Sequence, residues 1–249
     1  MTIETRPAQD NSAIAQRCHD LAVVATRLSH DFRNALSGNM GFTQLALASI
    51  STWNPVYAHL EEILNNSRQS LVQIERLELL ARRPPKFWRP VETLEVLARL
   101  PMPETIRVKR ELPKNLPRVR MDRDSLALVL QELFTNAVEA CNDCARVTLS
   151  AGQEQLTAKE CANLFGSALP GPHIVLSIVD NGVGISPAVR RKLLVEPLLT
   201  TKAHHTGLGL TLAFLTLHAF QAGFCLAPAK PNGTEARVYL PAEVNGSSG

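Results

Sequence analysis

Residues 173–185 read HIVLSIVDNGVGI. The run His173–Val179 is almost wholly apolar and rich in β-branched residues, which predicts a strand covered on both faces. Asp180 ends it, and Gly182 and Gly184 follow, separated by one residue. Glycine allows the backbone to turn sharply and to approach a ligand closely. A carboxylate beside that turn can accept a hydrogen bond from an exocyclic amine. Alone, an Asp-x-Gly-x-Gly pattern is more often a plain turn at a strand end, so its meaning depends on what surrounds it.

Downstream, Thr206-Gly207-Leu208-Gly209-Leu210 stands directly before a helical pattern over Leu210–Ala222. A glycine-rich turn at a helix N-terminus offers free amides and the positive end of the helix dipole, which together suit phosphate. Upstream, Asp122–Cys141 reads as a helix with Asp122 near its start. Glu132 and Asn136 are four residues apart and share one face of that helix. A carboxylate and an amide oxygen are suitable ligands for Mg²⁺ or its waters, although such a pair is commonly just a solvated surface. Ile106–Leu112 and Ala145–Ala151 alternate like strands. Phe224–Pro228 and Glu235–Leu240 are strands joined across Pro231-Asn232-Gly233. Gln153–Pro172 carries no clear periodicity and is read as an insertion. These elements predict an α/β sandwich over residues 91–242.

The first third of the chain has a different pattern. From Ser12 to Ile50 there is no proline, and Ile14, Cys18, Leu21, Ala25, Leu28, Phe32, Ala35 and Phe42 are read as one apolar stripe. Such a helix would run about 60 Å, too long for a small globule. Ser51–Pro55 is a break. A second helix is predicted from Val56 to Arg82, with a stripe through Leu60, Ile63, Leu64, Leu71, Ile74 and Leu77. The pair forms an antiparallel hairpin over residues 12–83, and two hairpins would make a four-helix bundle in a homodimer. Arg83-Pro84-Pro85-Lys86 opens a stiff linker, residues 84–90. Residues 1–10 are read as a loose tail.

Composition narrows the classes. The chain has 249 residues, 45% of them apolar, and a formal net charge of +3. That charge is mild, and the basic residues are not gathered into one stripe, which argues against nucleic acid. Five cysteines without disulfide-like spacing suit a reducing compartment. Cys141 and Cys144 form a single CxxC, too little for a zinc site. No signal peptide is evident. The uncharged stretch 208–227 contains Thr211, Thr216, His218, Gln221 and Gly223, and is read as a buried helix and strand rather than a membrane span. A cytoplasmic location is expected.

The order Glu132–Ala137, then Asp180–Ile185, then Thr206–Leu210 resembles the N, G1 and G2 boxes of the histidine-kinase ATP-binding domain, whose fold is shared with DNA gyrase, Hsp90 and MutL. Glu196–Lys202 (EPLLTTK) looks like the F box, and Gly233-Thr234 through Pro241 looks like the domain's last hairpin. Leu28-Ser29-His30-Asp31-Phe32-Arg33-Asn34-Ala35-Leu36 is similar to the phosphoacceptor H box, in the His-Asp-Phe-x-Asn form of nitrogen-regulation and hybrid kinases. The resemblance spans roughly residues 12–242. It implies ATP and Mg²⁺ as cofactors and His30 as phosphoacceptor, with Asp31 activating the imidazole and Asn34 serving a reverse, phosphatase reaction. Asp180 would read the adenine amine and Asn136 would ligate Mg²⁺ with Glu132 nearby. Gly182, Gly184, Gly207, Leu208 and Gly209 would shape the nucleotide pocket, and Thr201, Lys202 and Thr206 would line its phosphate side. A response-regulator receiver domain on another chain, and a separate sensor protein, are the partners implied. His30 is expected to point away from a seam formed by Leu28 and Phe32.

Two departures from the family pattern stand out. Glu132 occupies the place of a first Asn, and Leu198 and Leu199 replace F-box aromatics. Related ATPases of this fold carry a Glu that activates water, so a non-kinase ATPase is the first alternative. A phosphotransfer or docking protein with a degenerate pocket is the second.

Overall fold

The structure is a computed structural model that describes residues 11–103, 106–141, 145–192 and 207–243. It divides into two compact units: Gln16–Arg82, and Met1–Ala15 together with Arg83–Gly249. The expected tail at 1–10 lies outside the described residues.

The smaller unit is built from two helices. Helix α1 runs unbroken from Asn11 to Ser49 and α2 from Tyr57 to Leu79. The turn between them is set by Asn54, whose side chain accepts from the Val56 amide at 2.9 Å and whose carbonyl accepts from the Tyr57 amide at 2.9 Å. The chain thereby returns antiparallel, and Arg33 of α1 meets Glu75 and Glu78 of α2.

The apolar stripe of α1 needs correction. Ile14, Cys18 and Ala25 are buried as expected, but the stripe continues through Ala22, Ser29 and Thr43. Leu28, Phe32 and Phe42 are 50%, 54% and 76% exposed. They lie on a flank that the hairpin itself does not cover. The buried residues advance by three or four positions from Cys18, which carries their flank around to Ser29 rather than Leu28. The larger side chains fall on an adjacent, open flank. On α2, Leu64, Ser67 and Ile74 are buried, whereas Ile63 and Val72 are open.

The larger unit is a six-stranded sheet in the order β1-β2-β4-β6-β5-β3. Its strands are β1 Arg107–Glu111, β2 Arg146–Leu156, β3 Phe165–Gly166, β4 Gly171–Asp180, β5 Gly223–Pro228 and β6 Thr234–Pro241. Strand β1 runs parallel to β2 and all other pairs are antiparallel. Helices α4 (Arg123–Glu139) and α7 (Leu208–Ala219) cover one face. Ile174, Leu176 and Ile178 alternate along β4 and are buried, as are Leu130 and Phe134 of α4 and Leu212 and Phe214 of α7. Short helix α3 (Thr93–Ala98) packs on α4, and α6 (Pro187–Lys192) follows the β4 turn.

The insertion explains why β4 is apolar on both sides. Residues expected to lack pattern extend β2 to Leu156, then form α5 (Ala158–Cys161) and β3. Helix α5 opens with a reciprocal cap. The Thr157 hydroxyl accepts from the Glu160 amide, while the Glu160 carboxylate accepts from the Thr157 amide. On the face opposite the helices, Leu156, Cys161 and Leu164 enclose Val175 and Tyr239. Burial of this kind stabilises by about 25 cal/mol per Å² of apolar area removed from water. Trp88 of the linker meets Phe220 edge-on at 5.4 Å, and the first residue of α1 donates from Asn11 Nδ2 to the Leu164 carbonyl at 3.0 Å.

Candidate functional site

Asp180 is the last residue of β4 and is 5% exposed. Its Oδ1 accepts from the Gly182 amide at 2.8 Å and from the Thr234 amide at 3.0 Å. Two backbone donors fix the rotamer of the carboxylate. The neighbouring Asn181 ties the strand end to the rest of the domain, its Oδ1 accepting from the Arg146 amide at 2.8 Å and from Cys141 Sγ at 3.2 Å.

Glycine is required here by close approach. A Cβ on Gly182 would lie 2.3 Å from the Ala140 carbonyl oxygen at the end of α4. Gly184 has φ +73°, in the left-handed region, and faces the Gly233 carbonyl. Gly233, at φ +112°, leaves no room at all, since a Cβ there would sit 2.0 Å from the Asp180 carbonyl oxygen. Gly233 and Thr234 are thus part of this corner. The sequence signalled only a turn and a final hairpin at these positions, because it cannot show that the hairpin closes on Asp180.

The phosphate-type turn converges on the same helix. Gly207 caps α7 in the left-handed conformation at φ +67°, and Leu208 is buried as an anchor. A Cβ on Gly209 would stand 2.7 Å from Glu132 Oε2 and 3.4 Å from Asn136 Nδ2. The first turn of α7 therefore lies directly against the polar face of α4. Glu132 is buried and Asn136 half-buried, and α4 is itself started by Asp122, whose Oδ1 accepts from the Asp124 and Ser125 amides. An oxygen pair beside a helix N-terminus suits a hard cation with a phosphate. Among the described residues no group of three or more His, Cys, Asp or Glu side chains converges. A cation here would thus draw most of its ligands from phosphate and water, as Mg²⁺ does. Thr201, Lys202 and Thr206, like Glu196–Leu199 and His204-His205, lie outside the described residues.

In the helical unit, His30 and Asp31 stand on the open side of α1, with side chains 75% and 82% exposed. His30 Nδ1 lies 3.3 Å from Asp31 Oδ1. With the proton on Nδ1, Nε2 carries the lone pair. Asn34, one turn along, is exposed.

Residues 121–244 match the family described as histidine kinase-, DNA gyrase B-, and HSP90-like ATPase. The chain is 25% identical over 250 residues to sensor kinase CckA of Brucella abortus (strain 2308), covering 96% of this chain and 26% of that protein. It is 27% identical over 233 residues to the sensory histidine kinase/phosphatase NtrB of Rhizobium leguminosarum bv. phaseoli, covering 90% and 59%. These matches support a histidine-kinase catalytic core. In fold it resembles the crystal structure of full-length ShkA in complex with AMPPNP, with a TM-score of 0.69 at 19% identity over 90% of this chain and 46% of that one. The helical hairpin followed by a mixed ATPase sheet is thus the expected histidine-kinase architecture. The chain spans about a quarter to three-fifths of the length of these curated relatives. None of its described helices is long and apolar enough to cross a membrane.

Proposed function

We propose that this kinase autophosphorylates on His30 from Mg-ATP and passes the phosphoryl group to an aspartate of a separate receiver domain. The observation that carries the reading is the convergence of Gly209 on Glu132 and Asn136. It sets a helix N-terminus against an oxygen-rich helix face, in a domain whose corner carboxylate, Asp180, is suited to an adenine amine. In the reaction the His30 Nε2 lone pair forms a bond to the γ-phosphorus, the bond to the β,γ-bridging oxygen breaks, and ADP leaves with that electron pair. Asp31, beside Nδ1–H, offsets the positive charge that develops on the ring. Asn136, with Glu132 beside it, would hold Mg²⁺, whose charge neutralises the phosphates. The remainder of the catalysis is positioning and electrostatics. The receiver's aspartate then takes the phosphoryl from Nε2 and restores the imidazole. Asn34 would orient a water toward that phosphoaspartate in the reverse, phosphatase direction.

The reading places the kinase in the cytoplasm, as a homodimer through the open flank of Leu28, Phe32, Phe42 and Leu45, with its signal supplied by a sensor protein or segment. Radiolabelled ATP tests the central step. Label on the chain should be acid-labile and alkali-stable, absent from His30→Ala, and transferable to a receiver domain, while ATP binding by His30→Ala is unchanged. Label retained on His30→Ala would overturn it. Asn34→Ala should keep autophosphorylation and slow receiver dephosphorylation.

Glu132 supports one further reading, ATP hydrolysis without a phosphohistidine, because its buried carboxylate adjoins Gly209. Phosphate release at an undiminished rate from His30→Ala, abolished in Glu132→Gln, would favour it.

A further inference from the structure

Arg33, three residues beyond His30, is not among the residues given a role in the transfer. Its guanidinium reaches across to α2, where Nη2 donates to Glu78 Oε2 at 2.5 Å and Nη1 lies 3.8 Å from Glu75 Oε1. Glu75 and Glu78 are three apart and therefore share one face of α2. A planar guanidinium forked between two carboxylates fixes direction as well as distance, which an ammonium cannot do.

On the buried flank beside His30 stands Ser29, fully buried, whose Oγ has no hydrogen-bond partner among the described residues. Thr26, Thr43, Ser49 and Ser70 each donate to the carbonyl four residues back, so Ser29 differs from its neighbours. A small, unbonded side chain provides no knob to lock the rotation of α1. Arg33 lies about 4.5 Å along α1 from His30 and about 60° short of a full turn, so any rotation that Arg33 permits carries the imidazole with it.

We propose that Arg33 is a positioning residue for phosphoryl transfer: its ion pair with Glu78, reinforced by Glu75, sets the rotation of α1 and thereby aims His30. The proposal rests on His30 being the phosphoacceptor. The pair is about one-third exposed on each side, and pairs of that exposure add little to stability. Its loss should disturb aim and leave the fold intact.

Three variants of the intact chain test this: Arg33→Ala, Arg33→Lys, and the exchange Arg33→Glu with Glu78→Arg. Far-UV circular dichroism should show unchanged helix content in all three. Arg33→Ala should lower the kcat of autophosphorylation by about 10- to 100-fold, the scale of a misplaced reactant, at an unchanged KM for ATP. Arg33→Lys should recover only part of the loss, and the exchange most of it. The His30 ¹³Cε1–¹H cross-peak, recorded without ATP, should shift in Arg33→Ala and return in the exchange. A kcat within twofold of wild type in Arg33→Ala, or an exchange that restores neither rate nor cross-peak, would overturn the proposal. A wild-type chain that takes no label on His30 would instead remove the kinase reading, and the cross-peak alone would then decide whether Arg33 sets the imidazole.

Discussion

The two units place their chemistry in opposite ways. Asp180 is 5% exposed, held by two backbone amides, followed by the Gly182–Gly184 turn and closed by Gly233 against its carbonyl oxygen. The His30 side chain is 75% exposed, and it makes a polar contact with the next residue, Asp31. A nucleotide corner must be preorganised, because its selectivity depends on fixed donors and acceptors. On the proposed function, His30 must be reached first by a nucleotide and then by a receiver domain, so enclosure would defeat it. The contrast teaches that, if the proposed reaction holds, tight backbone packing belongs to its binding end and an open helix flank to its delivering end.

The strongest way to break the contrast is at Gly233. Alanine there places a Cβ 2.0 Å from the Asp180 carbonyl oxygen at φ +112°, so the corner must move. We expect Gly233→Ala to lose measurable nucleotide binding and to destabilise the larger unit by about 2–4 kcal/mol. Calorimetric titration with ADP and a thermal melt check both, and wild-type affinity would show that the corner is looser than the packing implies.

Asp180→Asn is gentler, because the amide oxygen can still accept from Gly182 and Thr234. Only the charge toward a ligand amine is lost, so affinity should fall about 10- to 100-fold with little change in melting temperature. A fall in stability as large as that of Gly233→Ala would mean that Asp180 is structural first.

On the open side, Phe42→Glu should leave the hairpin helical, since Phe42 is 76% exposed, yet weaken self-association by about tenfold or more. Light scattering across a concentration series reads it. An unchanged dimer would move the interface to another flank.

The smallest effect concerns pH. Burial lowers the pKa of His218, in the last turn of α7, below its usual value. The unfolded chain therefore takes up a proton near pH 6.5 that the folded chain refuses. The stability linked to this residue is complete above that pH and declines as pH falls through 6.5 toward the lowered value. Because His218 is only half buried, the melting temperature should drop by only about 1–2 °C between pH 7 and pH 5 on this account. His218→Gln should remove that component, and an identical pH profile in the variant would count against it.

Much of this was legible in the residues. The strands around β4, the helices α1, α2, α4 and α7, and the turn at Asn54 follow from periodicity, caps and glycine placement, and the structure differs from those expectations mainly by one to three residues at the ends. The insertion was less legible, although Thr157-Ala158-Lys159-Glu160 is itself a capping-box pattern. Its four-residue helix is too short to show a period. On α1 two apolar flanks interleave in sequence, and spacing alone does not say which of them the hairpin covers.

By itself the sequence determined which segments bend, which carry an ionisable or glycine-rich signature, and hence the family. Those properties are local, set by backbone sterics and side-chain chemistry within a few residues. Only the tertiary structure decided that Gly233 and Thr234 close on Asp180, that Gly209 rests on Glu132 and Asn136, and that Arg33 spans to Glu75 and Glu78. Each of these joins residues some 40 to 80 positions apart, and such meetings are fixed by how whole elements pack, which no local pattern encodes.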